Sequence, residues 1–131
     1  MNRMLSLVLI FAAAMMTAGS ALAHHSFAMF DQSKAMPIEG TVKEFRWTNP
    51  HIFIQLLVKS DNGTEVEWSI EMTSPEHLAR VGFRPGTMKA GDKVSLVIHP
   101  MRDGSAGGQY ISGSGPDGPF PGSPAPQGPA K

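Results

Sequence analysis

The sequence predicts a mainly β protein: a small five-stranded OB-like barrel with one short helix between strands 3 and 4. Three observations support this fold class. Apolar and polar residues alternate along several short segments, which is typical of half-buried strands. Helix signals follow the third of these segments, and two further strand segments follow the helix, which is the element order of the OB-fold. The first segment breaks its alternation once, which indicates a bulged, curved strand. The alternative is an open α+β sheet made of a three-stranded meander and a separate hairpin.

The first strand is predicted over residues 38–47. Phe45 and Trp47 share one face of this strand, whereas Val42 is out of phase with them. A β-bulge at positions 43–44 would restore the phase and curve the strand. Curvature of this kind favours closure of a barrel.

The second and third strands are predicted over residues 51–59 and 65–72, joined by a three-residue loop at 61–63. A type I turn with Gly63 in the left-handed conformation fits this loop. Since valines from both strands must share the core face, the loop fixes the register. It places three pairs opposite each other: Val58 with Val66, Lys59 with Glu65, and Phe53 with Glu71.

A short helix is predicted next. Ser74 suits the N-cap, Pro75 the first helical position and Gly82 the position just past the end. Leu78 and Val81, three residues apart, are expected to face the core.

Two more strands complete the predicted barrel. The fourth is expected over residues 93–100, with its apolar positions facing inward: Val94, Leu96 and Ile98. A glycine-rich connection at 103–108 leads to a short fifth strand at 109–111.

The first 23 residues have the composition of a signal peptide. Arg3 provides a positive start, an apolar run covers residues 5–16, and Ala21-Leu22-Ala23 has the form that signal peptidase recognises. The apolar run is shorter than the ~20 residues that span a bilayer. We therefore expect cleavage after Ala23, a periplasmic or secreted protein, and no membrane span in the mature form.

The mature chain is predicted to have three parts. Residues 24–35 form an N-terminal arm, residues 36–111 form the barrel, and residues 112–131 form a disordered tail. The tail is rich in Gly, Pro and Ser and has one aromatic residue, Phe120. Such a composition is expected to bury too little apolar area to offset the entropy of ordering.

Charge and cysteine content exclude several classes of partner and site. The chain has a formal net charge of zero, and removal of the leader takes away Arg3 and leaves −1. This argues against a nucleic-acid partner, which normally requires a basic surface. The absence of cysteine excludes disulfides and thiolate metal sites.

Histidines are the candidate metal ligands. Cleavage after Ala23 would leave His24 and His25 at the mature N-terminus, where the α-amine and imidazoles offer nitrogen donors. If the arm folds back over the barrel, it could meet His51, His99 and Glu71, which share the outward face of the strands. This donor set suits Cu(II), Ni(II) or Zn(II), and copper is favoured. Alternatively, the two leading histidines belong to a solvated arm and bind nothing.

Phe53 lies on the same outward face and is the candidate ligand surface. The sequence therefore indicates an exported binding module for an unidentified protein or small ligand, with copper as the favoured metal. The alternatives are a structural or protein-interaction module without metal and a copper-dependent redox enzyme. We favour a non-enzymatic module because a copper enzyme needs an open coordination position and a substrate surface, and the sequence indicates neither. No nucleophile motif, phosphate loop or dinucleotide fingerprint is present.

A set of short motifs runs through the mature chain: His24-His25-Ser26-Phe27, Phe30-Asp31, Trp47-Thr48-Asn49-Pro50-His51, Glu71-Met72 and Gly91-Asp92. Together they resemble a family of small exported bacterial proteins known as a domain of unknown function. The resemblance implies the architecture and the mature N-terminus and implies no activity. In general plan the chain is also similar to periplasmic bacterial OB-fold proteins, and this similarity concerns the fold alone.

Overall fold

The computed structural model describes residues 28–124, and strands dominate this part of the chain. The leader, His24 and His25 lie outside the described residues. The elements are β1 (Met36–Arg46), β2 (Phe53–Lys59), β3 (Glu65–Glu71), α1 (Pro75–Arg80), β4 (Lys93–Pro100), β5 (Gly107–Gly115) and β6 (Gly118–Pro119). No helix within residues 28–124 is long and apolar enough to cross a membrane.

The strands form a closed barrel. They are arranged in the order β3-β2-β1-β4-β5-β6, and a parallel pairing between β3 and β5 closes the ring. The helix α1 lies between β3 and β4 in the chain. This arrangement confirms the predicted OB-like barrel and excludes the open sheet, because an open sheet would leave β3 and β5 as separate edges.

β1 is a curved strand that pairs with two other strands along its length. Its first half pairs with β4 and its second half pairs with β2, both antiparallel. The register shifts between Val42 and Glu44, which confirms the predicted bulge. Val42 is buried as a result, while Phe45 and Trp47 pack against the rim of the core.

The β2–β3 hairpin has the predicted register. Val58 faces Val66 and Lys59 faces Glu65, as predicted. Gly63 adopts a φ of 81° in the loop. The expectation that Val66 is buried is wrong, since it is 39% exposed. The reason is that β5 pairs with β3 at residues 69–71, so the start of β3 extends past the barrel wall.

The helix begins and ends as predicted. Ser74 caps it, its Oγ accepting the amide hydrogen of His77 at 3.3 Å, and Gly82 follows the end with a φ of 108°. Leu78 is buried, but Val81 is 47% exposed, so its predicted core position is wrong. The chain leaves the helix at Val81 and turns Phe83 into the core instead.

The predicted boundary between barrel and tail at residue 112 is wrong for the residues that the structure describes. β5 continues to Gly115, β6 follows, and Phe120 is 7% exposed in the core. The glycines there allow close packing, since a Cβ atom on Gly115 would lie 2.8 Å from the Phe120 ring. A glycine-rich composition was therefore compatible with order. Residues 125–131 lie outside the described part.

Candidate functional site

The described part of the N-terminal arm lies against the end of β4. Phe30 forms an isolated antiparallel bridge with Met101 and is buried. The Asp31 amide donates to the carbonyl oxygen of Pro100 at 2.8 Å, and the Arg102 amide donates to that of Met29 at 2.9 Å. The arm is thus anchored on the barrel by backbone hydrogen bonds and one buried ring.

A tight turn follows and is organised by Asp31. Its carboxylate accepts hydrogen bonds from the hydroxyl of Ser33 at 2.6 Å and the amide of Ser33 at 3.2 Å, and Lys34 Nζ lies 3.1 Å away. The Ser33 hydroxyl, followed by Lys34, lowers the pKa of Asp31 to about 2. The carboxylate is therefore ionised at neutral pH and holds the turn.

This turn presents a carbonyl group to His99. The carbonyl oxygen of Lys34 lies 2.6 Å from His99 Nδ1. Because a carbonyl oxygen can only accept, Nδ1 carries the proton of the neutral imidazole and Nε2 carries the lone pair.

His51 has the same tautomer for a related reason. Its Nδ1 lies 2.8 Å from Glu71 Oε1 and 3.1 Å from the carbonyl oxygen of Met72. Both neighbours are acceptors, so Nδ1 donates and Nε2 carries the lone pair. The side chains of His51 and Glu71 are 35% and 17% exposed. A histidine oriented by a carboxylate through one ring nitrogen is the arrangement that supports metal ligation through the other.

Strand register places Glu71 and His99 on one outward-facing row together with Phe53 and Gln109. Phe53 faces Glu71, Glu71 faces Gln109, and Gln109 faces His99. We call these four residues the outer row. Neighbouring strands lie ~4.8 Å apart, so Glu71 and His99 are separated by ~10 Å at the backbone. The arm contacts this row as well, since Gln32 Nε2 donates to Gln109 Oε1 at 2.6 Å.

A cavity of about 240 Å³ opens between the arm and the outward face. We call it the arm cavity. Its lining includes Met29 and Phe30 from the arm, Phe53 and Glu71 from the outer row, and Met101. Ser69, Ser105, Ala106 and Gly107 complete the lining. Phe53, the predicted ligand surface, therefore lines a concave site.

The structure brings together some of the predicted metal ligands and separates others. His51 and Glu71 are in contact, and His99 lies two strands from Glu71 in the same row. The predicted ligands His24 and His25 lie outside the described residues. No group of three or more His, Asp or Glu side chains within residues 28–124 could hold a metal ion. Any metal site at this face therefore needs further donors.

Sequence reasoning missed the contributions of Gln109, Met29 and Met101. The position of Gln109 depends on the parallel β3–β5 pairing, which joins residues almost 40 positions apart and leaves no local pattern. The two methionines meet at the arm cavity because the arm folds back, and their spacing in the sequence does not indicate this.

The fold and this surface define a small OB-like barrel protein whose outward face is partly covered by an N-terminal arm. The chain belongs to a family described as "Family of unknown function (DUF6152)", whose model matches residues 13–110. All the candidate site residues fall within the matched part, whereas Phe120 follows it. No curated protein and no solved structure matches the chain.

Proposed function

We propose that this protein is an exported copper-binding module. The metal would be held between the mature N-terminus and the outward face of the barrel. His24 would supply its α-amine and imidazole, and His51 would supply Nε2. The observation that carries this proposal is the contact between His51 and Glu71, which fixes the imidazole with Nε2 as the lone-pair donor.

The arm is long enough to complete such a site. Met29 lines the same cavity as Glu71. Met29 follows His24 by five positions, and an extended chain covers up to ~3.3–3.6 Å per residue. The N-terminal amine can therefore lie up to ~18 Å from Met29. His51 contacts the Glu71 carboxylate, which lines the same cavity as Met29.

The chemistry of the donors favours copper. Amine and imidazole nitrogens bind divalent first-row metals with an affinity that is highest for Cu²⁺. In this proposal Glu71 orients His51 and offsets the charge of the metal. Two further imidazoles could add to this donor set. His25 follows His24 in the sequence, and His99 belongs to the outer row that contains Glu71.

Export is the second part of the proposal and is supported by the leader composition. Cleavage after Ala23 would generate the amine that the site requires. The intact mass of protein recovered from the periplasm or medium measures the cleavage position. A mature chain that begins anywhere other than His24 would remove the amine from the site and overturn this part.

Calorimetric titration of the mature protein with Cu(II) tests the site itself. We expect His51→Ala, and a variant with one glycine added before His24, to lower the affinity at least about tenfold. The control is His77→Ala, because His77 is exposed on α1 and is not part of the outer row. Equal affinity in wild type and both site variants would contradict the proposal.

A further inference from the structure

We infer that the arm cavity is a Cu(I) site in which Met29 and Met101 supply thioether sulfurs. The inference takes copper as the metal from the proposed function, but it uses donors that the nitrogen site does not.

Met101 is positioned over the outward face by a glycine. A Cβ atom on Gly107 would lie 3.9 Å from Met101 Sδ and 2.9 Å from the carbonyl oxygen of Ser69. Glycine therefore allows β5 to approach β3 closely and leaves space for the Met101 side chain above it. Since Gly107 faces Ser69 in the β3–β5 pairing, the sulfur lies beside the strand that carries Glu71.

Met29 reaches the same cavity from the arm. It is 47% exposed, although methionine is among the residues most often buried. Its neighbour Phe30 is buried. The carbonyl oxygen of Met29 accepts the amide hydrogen of Arg102. The backbone at Met29 is thus fixed while its side chain remains accessible at the rim of the cavity.

The chemistry of this lining selects a soft, singly charged metal. Thioethers are neutral, polarisable donors that favour Cu(I) over hard cations such as Mg²⁺ or Ca²⁺. The Glu71 carboxylate, which also lines the cavity, offsets a single positive charge without requiring a second acidic residue.

The test is competition for Cu(I) between the mature full-length protein and a coloured Cu(I) chelator under anaerobic conditions. The site variant is the double substitution Met29→Leu/Met101→Leu, which conserves side-chain volume. The control is Met36→Leu, because Met36 packs against the barrel core and does not line the cavity. Circular dichroism confirms that each variant is folded.

We expect the double variant to lose at least about tenfold in Cu(I) affinity, with Cu(II) affinity unchanged. X-ray absorption of the Cu(I) protein should show sulfur neighbours in wild type and in Met36→Leu and none in the double variant. Unchanged Cu(I) affinity in the double variant, or a copper spectrum without sulfur in wild type, would overturn the inference.

The two proposals fail separately. Binding of Cu(I) through sulfur without binding of Cu(II) would contradict the nitrogen site and leave the thioether site standing. If Cu(II) binding depends on His51 but Cu(I) affinity does not depend on the two methionines, the nitrogen site stands and the thioether site is contradicted.

Discussion

His99 of β4 is held by the backbone of the N-terminal arm, because its Nδ1 atom lies 2.6 Å from the carbonyl oxygen of Lys34. The histidine and the lysine are 65 positions apart, and their contact connects the arm to the outer row. The imidazole thus helps to hold the arm on the barrel.

Replacing His99 is therefore expected to loosen the arm. In His99→Ala the Lys34 carbonyl loses its partner, and the Asp31 amide, which donates to Pro100, should exchange with solvent faster. Hydrogen exchange followed by NMR measures this. Protection of the Asp31 amide equal to that in wild type and in the control His77→Ala would contradict the prediction.

Acid is expected to release the arm turn. The Ser33 hydroxyl, with Lys34, lowers the pKa of Asp31 from 3.8 to about 2, so folding favours the ionised carboxylate. The stabilisation is fully present above pH 3.8 and is lost as the pH falls toward 2. Urea unfolding measured across this window should show a smaller loss of stability in Asp31→Asn than in wild type. Identical pH dependence in the two proteins would contradict this.

In the proposed copper site Glu71 orients His51, so removal of Glu71 is expected to lower the Cu(II) affinity. In Glu71→Ala the His51 ring loses the 2.8 Å contact that fixes it, and Cu(II) affinity should fall on the order of tenfold or more. The control is Glu67→Ala, because Glu67 lies on the same strand but pairs with Lys43 at 2.7 Å. Similar titrations for both variants would remove Glu71 from the site.

Phe120 is expected to be essential for stability although it lies beyond the matched part of the family. Its ring packs 6.3 Å from that of Phe83, and Phe120→Ala should cost about 3–5 kcal/mol of unfolding free energy. Ile111→Ala is the control, because Ile111 is an exposed apolar residue of β5. Chemical denaturation measures both. Equal losses in the two variants would show that Phe120 is not part of the core.

The Tyr110 phenol is expected to ionise at a higher pH than an exposed tyrosine. Burial raises its pKa above the ordinary value of 10.0, and a hydrogen bond to Ser123 partly opposes the shift. Folding therefore favours the neutral phenol, so this stabilisation is present below pH 10.0 and is lost as the pH rises through the higher folded pKa.

Ultraviolet titration reports this residue directly, because it is the single tyrosine of the chain. Ser123→Ala should raise the midpoint further. A midpoint at or below the ordinary value in the folded wild type would contradict the expectation.

Local patterns were sufficient to predict much of the barrel. The alternation of β3, the three-residue loop and the bulge of β1 each depend on a few neighbouring residues, so the register of Phe53 against Glu71 followed from them. Val81 was misplaced because helical spacing does not apply once the chain has left the helix.

The remaining features depend on distant contacts. The pairing of Glu71 with Gln109 and the arm contacts of His99 join segments that no local signal connects. The segment after residue 112 was misjudged for another reason. Glycine lowers apolar content, but at Gly113 and Gly115 it also allows the chain to approach Leu96 and Phe120 closely.

The parallel junction between β3 and β5 consists of three residue pairs, and it has a consequence for kinetics. Glu71 lies on one side of this junction, while Met101 lies on the other, just before β5. A metal held by groups from both sides would cross-link β3 to the segment before β5, where only these three residue pairs close the barrel. Occupancy would then lengthen the lifetime of the folded protein, so resistance to proteolysis would report the bound ion.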